Sequence, residues 1–287
     1  MPISGTEVML RLAMRRTIGV TALVLSLAVG CTDAVPATEQ ADRKPIDETS
    51  AQGLPIVDRA IEFHGGALYE ASTTSLTVTS RSGNFDLVVT RNGGEFDYTL
   101  SGKVGADQVE RMVLYSNESV QRWDNGEPLE LDEENAQRAR DFVDARVYFP
   151  FLPYGLNGPS VYKEDLGLEN WEGRELHKVR VTFQEGTSTD ADDHYMYWFD
   201  PETGEMAMFG YDFHVGDGGL RLRKVTQSQR VGGLLFSDQK NYAVAGQDYS
   251  VAQLTPQFVS ENMMLLSTVV ISNVKVTPTG SAASPGS

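Results

Sequence analysis

Cysteine is almost missing from this chain: among 287 residues there is one, Cys31. A lone cysteine has no partner for an internal disulfide, and its place near the N-terminus leaves the body of the chain without a thiol for nucleophilic chemistry. Histidine is scarce as well, with only His64, His177, His194 and His214. Basic residues are few. Lys and Arg number 24 against 40 Asp and Glu, a net charge of −16 that repels nucleic acid and anionic lipid head groups. The short motifs of common enzymes are absent too. No G-x-S-x-G is present to set a serine on a strained turn, and Gly158-Pro159-Ser160 lacks that context. There is no H-E-x-x-H, no Walker A sequence and no dinucleotide-binding glycine pattern; Gly216-Asp217-Gly218-Gly219 reads as a hairpin loop. No repeat of roughly 20–50 residues is evident. No catalytic residue, cofactor or metal follows from these patterns.

Long apolar runs are confined to the N-terminus. Arg11, Arg15 and Arg16 precede an apolar stretch, residues 18–29, too short to span a bilayer comfortably, and Ala28-Val29-Gly30-Cys31 follows. Residues 1–30 therefore read as a signal peptide. Small residues directly before a cysteine resemble the lipobox of bacterial lipoproteins, which implies that Cys31 becomes the lipidated first residue. Thr32, where an aspartate would imply retention in the inner membrane, favours an outer-membrane anchor facing the periplasm by the same resemblance. Arg15-Arg16 leaves both general and twin-arginine export open. Residues 31–52, rich in Ala, Pro, Thr, Asp and Glu, should form a disordered tether spanning roughly 25 Å.

Beyond the tether the hydrophobic pattern changes twice. Ile56, Val57, Ala60, Ile61 and His64 recur at helical spacing, with Pro55 suited to the first turn and Gly65-Gly66 to the end, so a short helix is expected over 55–63. His64 then sits near the negative end of the helix dipole, which explains it without a metal. Period two follows. Residues 75–81, 85–91, 96–101, 109–116 and 119–123 alternate polar with apolar and are separated by Gly/Asn turns, predicting an antiparallel meander. Residues 132–147 read as a second helix, running into the aromatic stretch 148–156, Y-F-P-F-L-P-Y-G-L, whose prolines end it. Residues 161–168 read as polar and turn-like, 175–184 as a strand, and 220–231, 234–242 and 263–277 as closing strands, with a frayed tail over 277–287. The expected fold is mainly β: one domain over 53–276, a curved antiparallel sheet or open half-barrel with a short N-terminal helix and a helix-loop plug.

The most informative stretch is 193–215, two aromatic-rich runs joined by Asp200-Pro201-Glu202-Thr203-Gly204 and predicted to form a hairpin. Alternation puts His194, Met196 and Trp198 on one face and Tyr195, Tyr197 and Phe199 on the other. Neither set is polar, so both faces should meet protein or ligand rather than water. Phe149, Phe151, Met196, Trp198, Met206 and Met208 are the expected walls of a site for an apolar ligand, such as an acyl chain, beneath the plug. Two alternatives stand beside this non-catalytic reading. One is a structural or interaction lipoprotein with a filled core. The other is a metal-dependent hydrolase in which His194, His214 and one of Asp190, Asp192 or Asp193 converge. The Asp190–Asp193 loop lacks the ligand spacing of a calcium loop and reads as a solvated acidic turn.

Several blocks together resemble a family of bacterial exported proteins, often lipoproteins, with no established activity. They are Ala60 to Gly66 (A-I-E-F-H-G-G), Tyr148-Phe149-Pro150-Phe151, Tyr162 to Gly167 (Y-K-E-D-L-G), K-V-R-V-T-F at 178–183, the acidic loop at 190–193 and Tyr197 to Thr203. The resemblance covers residues 54–276 and implies an exported protein, not a reaction. More loosely, the order of helix, meander, helix-loop and closing hairpins resembles the half-barrel of periplasmic lipoprotein carriers, in fold only.

Overall fold

Alternating apolar residues carry most of the chain into strands, and the strands join one sheet. A computed structural model describes residues 53–184, 194–213, 218–246 and 248–279. Strands β1 (Ala71–Ser80), β2 (Gly83–Asn92), β3 (Glu95–Val104), β4 (Val109–Ser116), β5 (Val120–Asp124) and β6 (Glu127–Leu129) form a first antiparallel meander. The second comprises β7 (Val161–Trp171), β8 (Arg174–Phe183), β9 (Tyr195–Phe199), β10 (Met206–Phe213), β11 (Gly219–Val231), β12 (Leu234–Ala245) and β13 (Met264–Pro278). The first and last strands pair with each other, so both meanders share a thirteen-stranded, curved, unclosed antiparallel sheet whose edges are β6 and β7.

Helix α1 (Pro55–His64) starts with proline at its first turn and buries Ile56, Val57, Ala60 and His64. It approaches the sheet closely. A Cβ on Gly65 would lie 2.2 Å from Leu234 Cδ2, and one on Gly204 would lie 2.8 Å from the Ala60 nitrogen. Helix α2 (Glu133–Val147) is capped by Asp132, which accepts from the Asn135 N–H at 2.8 Å. Its Ala136, Ala139, Val143 and Val147, at i+3 and i+4 spacing, turn toward the sheet.

The face that bears α1, α2 and the segment 148–156 is termed the inner face. It carries two apolar clusters: Leu87, Leu100, Val113, Val143, Phe151 and Phe236 under α2, and the rings of β9 and β10 under α1 and 148–156. A third cluster lies on the outer face, where Met196, Trp198, Met208, Leu220 and Leu222 pack beneath Val251, Leu254, Val259 and Met263. The last group belongs to the connection that contains helix α3 (Pro256–Asn262).

Three elements differ from expectation. Residues 161–168 are not a turn but part of β7. Its alternation is broken by a register shift between Asp165 and Leu168, where Gly167 adopts φ 75°, and an edge strand tolerates the exposed charges that hid it. Strand β6 is too short for a periodic signal. Helix α3 was legible after all: Thr255 accepts from the Phe258 N–H at 3.2 Å and Pro256 follows it, a cap-and-proline start.

Candidate functional site

The β9–β10 hairpin forms as its sequence predicts, and its turn shows why. Asp200 Oδ1 accepts from the Thr203 and Glu202 N–H groups at 2.9 and 3.1 Å, and Oδ2 accepts from Arg174 Nη2 at 2.9 Å. These bonds, that from the Thr203 N–H foremost, hold the Asp200 carboxyl down at about 2. Every residue of β9 is buried.

On the inner face Tyr195, Tyr197 and Phe199 continue into Phe209 and Tyr211 as a field of near-parallel rings. Tyr197 lies 6.0 Å from Phe199 at 7° and 5.9 Å from Phe209 at 22°, and Tyr195 lies 5.5 Å from Tyr211 at 23°. The segment 148–156 covers this field. Phe149 stacks on Phe209 at 5.7 Å and on Tyr211 at 5.6 Å, and the Tyr148 and Tyr197 hydroxyls sit 2.8 Å apart. Burial pushes Tyr148 up to about 12 and Tyr197 further, so this pair bridges as neutral phenols. Further along, Tyr154 bonds Glu70, and Arg91 lies between Phe151 and Tyr154, 4.8 and 4.3 Å from their ring centres.

The six expected wall residues do not share one wall. Phe149 and Met206 belong to the inner ring cluster, and Phe151 lies beside them against Phe236 at 5.6 Å. Met196, Trp198 and Met208 face the other way, into the outer cluster, where Trp198 Nε1 donates to Glu169 Oε2 at 2.6 Å. Met206 and Met208 are separated by a register shift in the β9–β10 ladder, which sends residues two apart to opposite faces. The space under 148–156 is occupied by the protein's own rings, with Tyr197, Phe199 and Phe209 fully buried. Of two surface depressions of 530 and 260 Å³, one lies beside Lys103, Met112 and Trp123, away from the expected wall residues, and one beside Arg174, Gln227 and Ser228 and bordered by Met206.

Where the ring field ends, the inner face turns polar. Arg221 of β11 is paired with Tyr211, Arg223 with Asn241 of β12, and Asn241 in turn with Ser267 of β13, while Gln239 stands two residues before Asn241. Arg223 stacks its guanidinium on Phe149, 4.0 Å from the ring centre, and reaches Gln239 Oε1 and the Tyr211 hydroxyl at 3.4 Å each. Burial, with the neighbouring Arg223 charge, lowers Arg221 from its usual range. These residues were absent from the expected site. Their signal was available: in L-R-L-R at 220–223 the leucines enter the outer cluster, so strict alternation sends both arginines inward.

The described histidines His64, His177 and His194 all have hydrogen-bond partners. His64 is buried, donates from Nδ1 to the Ala60 carbonyl at 2.7 Å and accepts the Met206 N–H at Nε2, 3.4 Å away. His177 bonds Asp165 at 2.6 Å. His194 Nδ1 meets Asp212 Oδ1 at 3.1 Å, and Asp212 also accepts from the Val251 N–H; burial raises this carboxyl, but the hydrogen bonds outweigh it and lower it overall. His214, Asp190, Asp192, Asp193 and Cys31 lie outside the described residues. Among the described residues no group of three His, Cys, Asp or Glu side chains is placed to hold a metal ion.

No curated protein matches this sequence. A DUF1329 family protein from Desulfovibrio piger shares 11% identity at a TM-score of 0.45, covering 77% of this chain and 91% of its own. A LolA superfamily protein from Nitrosomonas europaea shares 11% at 0.42, with coverage of 77% and 91%. A domain described as an outer membrane lipoprotein-sorting protein, from Vibrio parahaemolyticus, shares 9% at 0.45, with coverage of 78% and 92%. The model of the family of unknown function DUF6503 matches residues 61–270, most of the β-rich region from α1 into β13, and the chain belongs to that family.

Proposed function

We propose that this protein is a lipid-anchored envelope lipoprotein, without catalytic activity, whose inner sheet face accepts an apolar ligand such as an acyl chain in exchange for segment 148–156. One observation carries the reading: beside α1, the ring field of β9 and β10 is covered by a chain connection that lies on it chiefly through stacked rings and a hydroxyl pair, rather than by a second sheet. The energies are comparable. Lifting Tyr148, Phe149, Phe151, Leu152 and Leu156 exposes five side chains worth about 1.5–3 kcal/mol each, and an acyl chain regains about 0.8 kcal/mol per methylene, so roughly ten to twenty methylenes match the plug. Cys31 supplies the anchor in this reading, with residues 1–30 as signal peptide, 31–52 as tether, and the outer membrane, on its periplasmic side, as address.

Hydrogen exchange of the purified protein with and without oleate tests the exchange step. Oleate should bind and raise exchange across 148–156; binding without that rise, or no binding, refutes it. For the anchor, Cys31→Ser should move the protein from the membrane to the soluble fraction, and an unchanged distribution counts against lipidation.

A second reading, a structural or interaction lipoprotein with a filled core, is favoured by a different observation. Met264, Leu265 and Leu266 begin β13 with 78%, 53% and 37% of their surface exposed, an apolar tip suited to a protein partner. Partner proteins co-purifying with no bound ligand would favour it.

A further inference from the structure

Six of the thirteen arginines described on this acidic protein have a carboxylate, and most of the others have a short bond to an oxygen. Arg111 and Arg122 share Asp124, Arg138 pairs with Glu134, Arg140 with Glu133, Arg174 with Asp200 and Arg180 with Glu164. Arg221 and Arg223 depart from this pattern. They stand two apart on one strand and one face, and among the described residues neither has an acidic side chain within ion-pair distance. Their hydrogen bonds do not satisfy them either. Arg221 Nη1 reaches the Leu220 and Val244 carbonyls at 3.2 and 3.4 Å, and Arg223 makes only its two 3.4 Å contacts. Arg223 Nε is buried with no partner, as is the neighbouring Asn241 Oδ1. A guanidinium offers five donors in a planar fork that matches carboxylate and phosphate oxygens. Leaving such donors unmet in a half-buried site is unfavourable, and like charges side by side add to that. Arg59, Arg81, Arg91, Arg146 and Arg230 also lack a carboxylate among the described residues, but Arg81 is exposed and the other four donate at 2.9 Å or less, to the Pro201 carbonyl, the Tyr98 hydroxyl, the Phe142 carbonyl and the Phe63 and Gly233 carbonyls respectively.

The surroundings of the pair are apolar on one side. Phe149 covers Arg223, Phe213 lies 4.7 Å under the Arg221 guanidinium, and the ring field begins at Tyr211 and Phe209. Two unmatched cations at the end of an apolar track are complementary to an anion carrying a long hydrocarbon chain. We propose that Arg221 and Arg223 bind the anionic head, a carboxylate or a phosphate, of an acyl amphiphile whose chain lies over the β9–β10 rings. This rests on the exchange of 148–156 for an apolar ligand. It also links the two events: Phe149 stacks on the guanidinium that the head group engages, so seating the head and displacing the plug involve the same ring.

Binding of three probes to the full mature protein, at a pH where oleate is ionised, tests the assignment. Oleate should bind about tenfold or more tightly than oleyl alcohol, the gain of at least one charge-assisted bond. In Arg221→Gln/Arg223→Gln the two should converge, through loss of the preference for oleate. Oleoyl lysophosphatidate distinguishes the sources: if it exceeds oleate, the head is phosphate, and if not, carboxylate, and either preference lost in the variant supports the site. Equal affinity of the wild-type protein for oleate and oleyl alcohol overturns the head-group site alone, and that comparison does not depend on the variant folding. Absence of binding by all three overturns the apolar-ligand reading and this inference with it.

Discussion

The two faces of the β9–β10 hairpin are equally buried and differently built. Outside, Met196, Trp198 and Met208 meet Leu220, Leu222 and Leu254, and short polar pins fix the arrangement: Trp198 to Glu169 at 2.6 Å and the Val251 N–H to Asp212 at 2.9 Å. The backbone is close as well, for a Cβ on Gly210 would fall 2.2 Å from Leu254 Cδ1. Inside, the cover is α1 together with an aromatic connection that lies on the ring field through stacked faces, a phenol pair and the buried Leu152 and Leu156, next to two arginines with no carboxylate partner among the described residues. Interlocked aliphatic side chains leave a void when one is removed, whereas flat rings can be replaced by another flat or linear apolar group with little loss of contact. Burial alone therefore does not identify a core. The outer face has the construction of a permanent one, and the inner face that of an exchangeable one.

Four measurements would break or sharpen that contrast. Trp198→Ala should cost about 3–5 kcal/mol in denaturant unfolding, the range for emptying a large buried site, while Phe149→Ala, at the partly exposed plug, should cost under about 2 kcal/mol; equal losses would erase the distinction. Next comes pH. Burial lowers His64 from 6.5 to about 4, so the folded state binds fewer protons than the unfolded one; the stability this confers is complete above about 6.5 and is lost as pH falls toward 4, up to roughly 3 kcal/mol. Comparing wild type with His64→Gln at matched pH isolates the histidine, and parallel curves would refute its role in fastening α1 over the ring field.

Gly210→Ala should cost about 1–3 kcal/mol by overpacking against Leu254, read as a fall in the unfolding midpoint; a neutral result would show the outer face to be loose. Smallest is Tyr148→Phe, which removes the phenol pair with Tyr197 for about 1 kcal/mol. Its hydrogen-exchange effect should be confined to 148–156, and a rise that spreads to β9 or the Val251–Met263 connection would mean that the plug and the core open together.

Much of the fold was legible because period two and period 3.6 are local properties. Strand β4 coincides with the expected 109–116, α2 begins one residue after its expected start at Asp132, and the hairpin turn sits on Asp200 to Gly204. The departures have physical causes. In β7 a shift of register and charged edge positions mask alternation, and at Met206/Met208 a second shift breaks the rule that residues two apart share a face. Arg221 and Arg223 were overlooked because a charge in an alternating strand ordinarily marks the wet face, and here that face is the half-covered inner one.

Residue order alone determined the β-rich composition, the hairpin and the apolar character of both its faces, since each follows from side chains a few positions apart. Which apolar face is sealed by Val251 to Met263, which is covered by 148–156, and that two arginines end the ring field with no carboxylate among the described residues were decided by tertiary structure, because each depends on segments tens of residues away arriving over the same strands.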